Sequence, residues 1–229
     1  MGGIVMSEFY KDQSLYLEKK KNIPVNTARS YLVMKRAVDI IGSFGGLVVL
    51  SILFVIIAVL IKLEDPKGKV FFKQLRVGKD GREFYMYKFR SMASDAEERL
   101  KELLAHNEVS GAMFKMKDDP RVTKVGKFIR KTSLDELPQL INVLKGEMSL
   151  VGPRPPLPRE VAEYTSYDKQ RLLVVPGCTG LWQVSGRSNI GFSEMVELDL
   201  KYIRDRSLIL DISIILKTVL VMLESKNAY

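Results

Sequence analysis

One cysteine, Cys178, and one histidine, His106, are all that the 229 residues contain of these two types. A single cysteine excludes an intrachain disulfide and fits a reducing cytoplasm. Cys178 lies in Val-Val-Pro-Gly-Cys-Thr-Gly with no partner chemistry around it, and reads as structural. His106 sits in the charged stretch Leu-Leu-Ala-His-Asn-Glu, where a solvated helix position gives no support to a histidine-based mechanism. Zinc-ligand spacing, an RNP-like aromatic motif and a helix-turn-helix pattern are also missing, so no nucleic acid is expected as partner. There is no internal repeat and no low-complexity segment. Hydrophobic residues at 46% are ordinary for a folded chain. A chain of this length buries one sizeable core, or a core with an appended membrane element.

What the chain does have is positive charge. Its formal net charge of +9 calls for an anionic partner, an anionic lipid or a phosphorylated small molecule. Within this basic background stands an acidic pair, in Lys131-Thr-Ser-Leu-Asp135-Glu136-Leu-Pro-Gln139. Adjacent carboxylates among arginines and lysines suit metal-assisted phosphate chemistry. The anions hold a metal or attack phosphorus, and the cations hold the phosphates.

The run from Ile40 to Ile61 contains no charged residue. As a helix it would reach roughly 33 Å, long enough to cross a bilayer. It starts far from Met1 and has no small-residue cleavage site, which argues against a signal peptide. Lysine and arginine flank it on both sides, so the positive-inside rule is most easily met if both ends face the cytoplasm. A re-entrant helix is therefore expected, with spanning as the alternative. Gly42, Gly45, Gly46 and Ser51 are candidate bending points. A second apolar stretch, Ser207 to Met222, is interrupted by Asp211 and Lys217 and suits an interfacial or domain-packed helix.

Residues 1–36 read as an N-terminal tail, 37–63 as the membrane helix, and 64–229 as a catalytic domain with a C-terminal amphipathic segment. In that domain Lys69–Val77 resembles a strand, Gly78-Lys-Asp80-Gly81 is turn chemistry and Arg82–Phe89 alternates as a second strand should, which predicts a β-hairpin. Ser94–Asn107, with Ser94 and Glu97 as a capping box, predicts a helix. Further helices are predicted over Val122–Arg130, Leu137–Leu144, Pro158–Leu173 and Ser193–Arg204. The fold class is α+β: a mainly helical cytoplasmic catalytic domain with a β-hairpin, attached to the membrane-embedded helix.

Ser133-Leu-Asp-Glu136 is also a capping-box pattern, so Glu136 could serve as a helix cap; a helix N-terminus is itself an anion site, so both roles are compatible. Arg154, between prolines in Gly-Pro-Arg-Pro-Pro, is a constrained planar donor suited to phosphate. Arg187, after the turn at Gly186, raises the same reading. Lys88 and Arg90 alternate with aromatics as on a strand face.

Taken in order, Tyr87-Lys-Phe-Arg-Ser-Met92, Asp119-Pro-Arg-Val-Thr123, Thr132-Ser-Leu-Asp-Glu-Leu-Pro-Gln139, Met148-Ser-Leu-Val-Gly-Pro-Arg-Pro155, Pro176-Gly-Cys-Thr-Gly-Leu-Trp-Gln-Val-Ser-Gly-Arg187 and Leu198-Asp-Leu-Lys-Tyr202 resemble the bacterial sugar transferase family. These are monotopic polyprenyl-phosphate phosphoglycosyl transferases, and the resemblance covers about residues 31–225. It implies that Asp135 attacks the sugar-bearing phosphorus of a UDP-sugar, expelling UMP and leaving a covalent phosphosugar. Polyprenyl phosphate in the bilayer would then take the phosphosugar and start a glycan. The resemblance further implies that Glu136, with Asp135, binds Mg²⁺, and that Lys88, Arg130, Arg154 and Arg187 contact phosphates or nucleotide. Asp199 and Asp211 would be supporting polar residues. Location at the cytoplasmic face of a bacterial cell membrane follows, and a homodimer is compatible with it. Where the family usually breaks its membrane helix with Ser-Pro, this chain has Ser51-Ile52, without the proline. It resembles the minimal catalytic form of the family. Its Leu-Trp-Gln-Val-Ser-Gly-Arg stretch is more like members using hexoses such as UDP-glucose or UDP-galactose. Two other readings compete: a membrane-associated Mg²⁺-dependent phosphohydrolase or pyrophosphatase, and a non-enzymatic adaptor binding anionic lipid.

Overall fold

The computed structural model describes residues 22–96, 98–99, 116, 119–186 and 191–223. Two helices lead the described chain, α1 (Arg29–Val49) and α2 (Ser51–Glu64). A hairpin follows, β1 (Phe71–Val77) and β2 (Glu83–Phe89), joined by a 3-10 turn at Lys79–Gly81. Then come α3 (Lys124–Lys131), a 3-10 turn at Leu134–Glu136 and α4 (Gln139–Lys145). Beyond these lie β3 (Ser149–Val151), α5 (Pro158–Ala162), a 3-10 stretch at Asp168–Leu173, β4 (Gly177–Thr179), α6 (Phe192–Asp205) and α7 (Leu208–Leu223). The architecture is α+β and mainly helical, with two small sheets.

Among the described residues no single helix is long and apolar enough to cross a membrane, whereas α1 and α2 together are, bent by 59° at their junction. The bend falls at Leu50, beside Ser51-Ile52, and needs no proline. Leu50 takes φ −90°, ψ 4°, the bridge region, which turns the chain without removing a donor. Its N–H still reaches the Gly46 carbonyl, at 2.9 Å. Two of the glycines of α1 serve packing instead. A Cβ on Gly42 would lie 2.7 Å from Leu150, and one on Gly46 would lie 3.1 Å from Leu140. Ile41, Phe44, Val48, Val49, Ile52 and Val55 are all exposed, a contiguous apolar surface of the kind that water-facing helices avoid.

The hairpin forms as its alternation predicts, with Phe71 opposite Phe89 and Val77 opposite Glu83. Asp80 and Gly81 both take positive φ in the turn, which asparagine-like and glycine residues tolerate. The inner face of α2 packs on it: Ile57 and Ile61 bury with Phe89 and with Ile129 of α3. Glu64, the last residue of α2, accepts from the N–H groups of Lys124 and Val125 at 2.7 and 2.9 Å, and Thr123 accepts from Gly126. The exposed donors of the first turn of α3 are thus capped partly by α2.

α6 buries Val196, Asp199, Leu200, Tyr202 and Ile203, a helical stripe, against Val151 and Ile214. The predicted helix over Pro158–Leu173 is broken in the structure. Thr165 N–H and Oγ donate to the Asp168 carboxylate at 2.9 and 2.7 Å, and this local bonding restarts the chain as a 3-10 stretch. The parallel pairing of β3 with β4 was not foreseen. It depends on close backbone approach: a Cβ on Gly177 would lie 2.0 Å from the Gly152 nitrogen. The predicted helix over Ser94–Asn107 lies mostly outside the described residues.

Candidate active site

The acidic pair sits on the short turn between α3 and α4. Ser133 enters that turn at φ 55°, a left-handed conformation that costs a non-glycine residue about 1–2 kcal/mol. The capping-box reading of Ser133 and Glu136 does not hold, because Ser133 makes no side-chain cap bond there. Glu136 instead accepts from Lys88 Nζ at 2.6 Å, from the neighbouring strand β2. The helix start expected near Pro138 is present, since α4 begins at Gln139.

A cleft of about 1160 Å³ opens over the turn, with Lys88, Arg90, Arg130, Asp135, Glu136 and Arg154 in its wall. These six come from β2 and its end, the α3–α4 segment and the loop after β3, and Lys73 of β1 and Arg121 add further positive charge. Much of the remaining wall is apolar, and includes Phe71, Phe72, Leu140, Ile215 and Val219. Cys178 also lines the cleft, where burial pushes its thiol well above the usual range and keeps it protonated.

The two carboxyls are differentiated. Burial pushes Asp135 up to about 6, with the Glu136 charge adding to it and Lys88 and Arg130 opposing it. Burial pushes Glu136 up as well, but Lys88, Arg154 and Arg76 together hold it below the usual carboxylate range. The result is an ionised, ion-paired Glu136 beside an Asp135 whose carboxylate has no ion-pair partner among the described residues. An unpaired carboxylate in the wall of a cationic cleft is a usable nucleophile. No group of three or more His, Cys, Asp and Glu residues among the described ones could hold a metal ion. Two adjacent carboxylates fit Mg²⁺ only in the manner usual for that ion, with the remaining ligands drawn from water and a ligand's phosphates.

Among the described residues no protein acceptor engages the Arg154 guanidinium, while its carbonyl accepts from Arg171 Nη2 at 3.3 Å. Arg130 donates through Nε to Ser91 Oγ at 2.8 Å. Asp199 is buried away from the dyad in an ion pair with Arg171 at 2.7 Å, and burial pushes its carboxyl up to about 6 despite that arginine. Its link to the cleft runs through Arg171 to the Arg154 backbone. Asp211 is not in the cleft. It ties α7 to α1 and α6, accepting from Lys35 Nζ at 3.0 Å, Tyr31 Oη at 3.2 Å and Tyr202 Oη at 2.7 Å. Arg187 lies outside the described residues.

Sequence reasoning passed over Arg76. It is 5% exposed, donates to the Pro155 carbonyl at 2.9 Å, and so holds the arginine loop behind Glu136. Burial lowers its guanidinium to about 10, with Arg154 adding to the effect. The sequence carried no signal for it, since burial along this strand rises toward its end instead of alternating. Also passed over were the polar anchors of α1. Arg36 caps the end of α4 through the carbonyls of Val143 and Leu144, at 2.6 and 2.8 Å. Asp39 accepts from Ser149 Oγ and Leu150 N–H, both at 2.9 Å.

Comparison with known proteins agrees with the motif pattern. Residues 30–225 match the bacterial sugar transferase family. The chain is 53% identical over 200 residues to the galactosyl transferase CpsE of Streptococcus agalactiae serotype III (strain NEM316), covering 87% of this chain and 44% of that protein. It is 42% identical over 228 residues to the undecaprenyl-phosphate galactose phosphotransferase of Salmonella typhimurium, covering 98% and 47%. With the exopolysaccharide production protein ExoY of Rhizobium meliloti (strain 1021) the figures are 41% over 199 residues, 85% and 88%. The chain spans about half the length of the first two relatives.

Proposed function

This chain belongs to the bacterial sugar transferase family, and we propose that it transfers a hexose-1-phosphate from a UDP-sugar to polyprenyl phosphate at the cytoplasmic face of the bacterial membrane. The observation that carries the reading is the unpaired, buried-side carboxylate of Asp135 next to an ion-paired Glu136 in a cationic cleft with apolar walls. Relatives named for galactose transfer make UDP-galactose the first donor to test.

In the first step an Asp135 carboxylate oxygen attacks the sugar-bearing phosphorus. A P–O bond forms to the aspartate, and the P–O bond to UMP breaks, with UMP taking the electron pair. In the second step a phosphate oxygen of the polyprenyl phosphate attacks the same phosphorus. The acyl-phosphate bond then breaks and Asp135 leaves as a carboxylate. Splitting one displacement in two lets each acceptor bind in turn. Lys88 holds Glu136 ionised and contributes positive charge beside the reacting phosphorus. Arg154 and Arg130, in the cleft wall, would bind phosphate oxygens, and Arg76 and Arg171 hold the Arg154 loop through its backbone carbonyls. Mg²⁺, held by Glu136 with Asp135 and phosphate oxygens, would neutralise charge on the diphosphate. The apolar surface of α1 and α2 sits in the bilayer, both ends to the cytoplasm, which brings the cleft to the lipid acceptor.

A UMP-release assay with and without polyprenyl phosphate tests this. Sustained release only with the lipid present supports the transferase. Sustained lipid-independent release identifies a hydrolase, and no release with any donor leaves the lipid-binding adaptor.

A further inference from the structure

Gln183 lies on the cleft wall beside the charged groups, yet half of its carboxamide is idle. Nε2 faces the Cys178 carbonyl at 3.5 Å, whereas Oε1 is buried and has no hydrogen-bond partner among the described residues. Turning the amide over would set two oxygens against each other, so the acceptor end is the end that points away from Cys178. A buried acceptor left without a donor is costly, and native proteins keep such groups where a ligand completes them. Gly180 makes the room: a Cβ there would meet Oε1 at 2.6 Å. Gln183 also lines, with Arg76, Lys88, Glu136 and Arg154, a small void of about 10 Å³, which puts it next to the charged groups of the cleft.

The chemistry of the missing donor is restricted. Phosphate oxygens are acceptors and are already matched by lysine and arginine, so they cannot satisfy Oε1. A sugar carried on the attacked phosphorus brings its nearest donor on C2, the carbon next to the anomeric one. That donor is a hydroxyl in a hexose and an amide N–H in an N-acetylhexosamine. Resting on the transferase reading above, we propose that Gln183 is a specificity-determining residue whose Oε1 accepts a hydrogen bond from the C2 substituent of the donor sugar. The same chemistry could come from a ribose hydroxyl of the nucleotide, and the test separates the two.

The test compares kcat/KM for the full chain in detergent with UDP-galactose, its 2-deoxygalactose analogue and its 2′-deoxyuridine analogue. Wild type is expected to lose about tenfold or more on the 2-deoxygalactose donor. Gln183→Met, of similar shape but without the acceptor, is expected to turn the two sugars over within about twofold of each other, while its discrimination at the ribose stays that of wild type. Gln183→Glu keeps an acceptor and is expected to restore the preference, at a lower rate because of its charge. A thermal transition like wild type shows that each variant is folded; if Gln183→Met is not, Gln183→Glu must still prefer the 2-hydroxyl. Discrimination against 2-deoxygalactose that is unchanged in Gln183→Met overturns the assignment. So does loss of discrimination at the ribose instead. A wild type that turns over no sugar donor strikes the transferase reading itself, and this inference with it.

Discussion

Lys88 Nζ lies 2.6 Å from Glu136 Oε1, across from the strand that carries it, and this contact divides the labour of two adjacent carboxylates. Glu136 is spoken for by a cation. Asp135, one residue earlier, has no ion-pair partner among the described residues, which is why the proposed mechanism makes it the nucleophile.

The pH dependence follows from that division. Asp135 is raised to about 6, so below that pH its carboxyl is protonated and cannot attack. In the kcat/KM profile for the first half-reaction, which reports the free enzyme, an acid limb is expected near 6. Lys88 opposes the upward shift, so Lys88→Met should move the limb to higher pH as well as lowering the rate. A limb that moves down instead would show that another group titrates.

Arg171 acts at one remove from the chemistry. Its pairing with Asp199 is almost fully buried, and removing either partner strands a charge at a cost of about 3–5 kcal/mol. Arg171→Met should therefore lower the thermal transition markedly. Because Arg171 also holds the Arg154 carbonyl, the surviving folded fraction should show a raised KM for the UDP-sugar. A destabilised variant with unchanged KM would make the pair purely structural.

The left-handed Ser133 invites the opposite change. Ser133→Gly should relieve the strained φ and stabilise the protein by up to about 1 kcal/mol, while Ser133→Val should destabilise it. Thermal melts of the two variants decide it. Equal loss in both would mean that the serine side chain matters there rather than the backbone.

Asp39 couples α1 to the scaffold of the cleft. It receives Ser149 and Leu150 just ahead of the Gly152-Pro-Arg154 segment. Asp39→Leu leaves two buried donors unmatched, at about 1–3 kcal/mol each. A lowered thermal transition is expected, together with a weaker response of activity to the lipid acceptor. Unchanged stability would dismiss the anchor.

Elements with a clear local period were legible in the sequence. The second hairpin strand alternates, and α6 carries an unbroken helical stripe, so both were placed to within a residue or two. The dyad, Lys88, Arg130 and Arg154 could be named because motif order pointed to them, and the structure brings these five to one cleft. Asp211 could not be located from sequence. An aspartate inside an apolar helix looks the same whether it faces a substrate or, as here, a lysine and two tyrosines of other helices. Arg76 and Gln183 were opaque for a related reason, since their roles rest on tertiary neighbours far along the chain. The β3–β4 pairing was hidden because three-residue strands show no alternation. Only Gly152 and Gly177, which let the backbones meet, recorded it.

The most direct test of the central claim is intact-protein mass spectrometry after brief incubation with UDP-galactose and Mg²⁺, in the absence of polyprenyl phosphate. The account predicts a mass gain of one hexose phosphate that is absent in Asp135→Asn and disappears when the lipid is added. UMP release without any adduct, or an adduct that persists in Asp135→Asn, would contradict it.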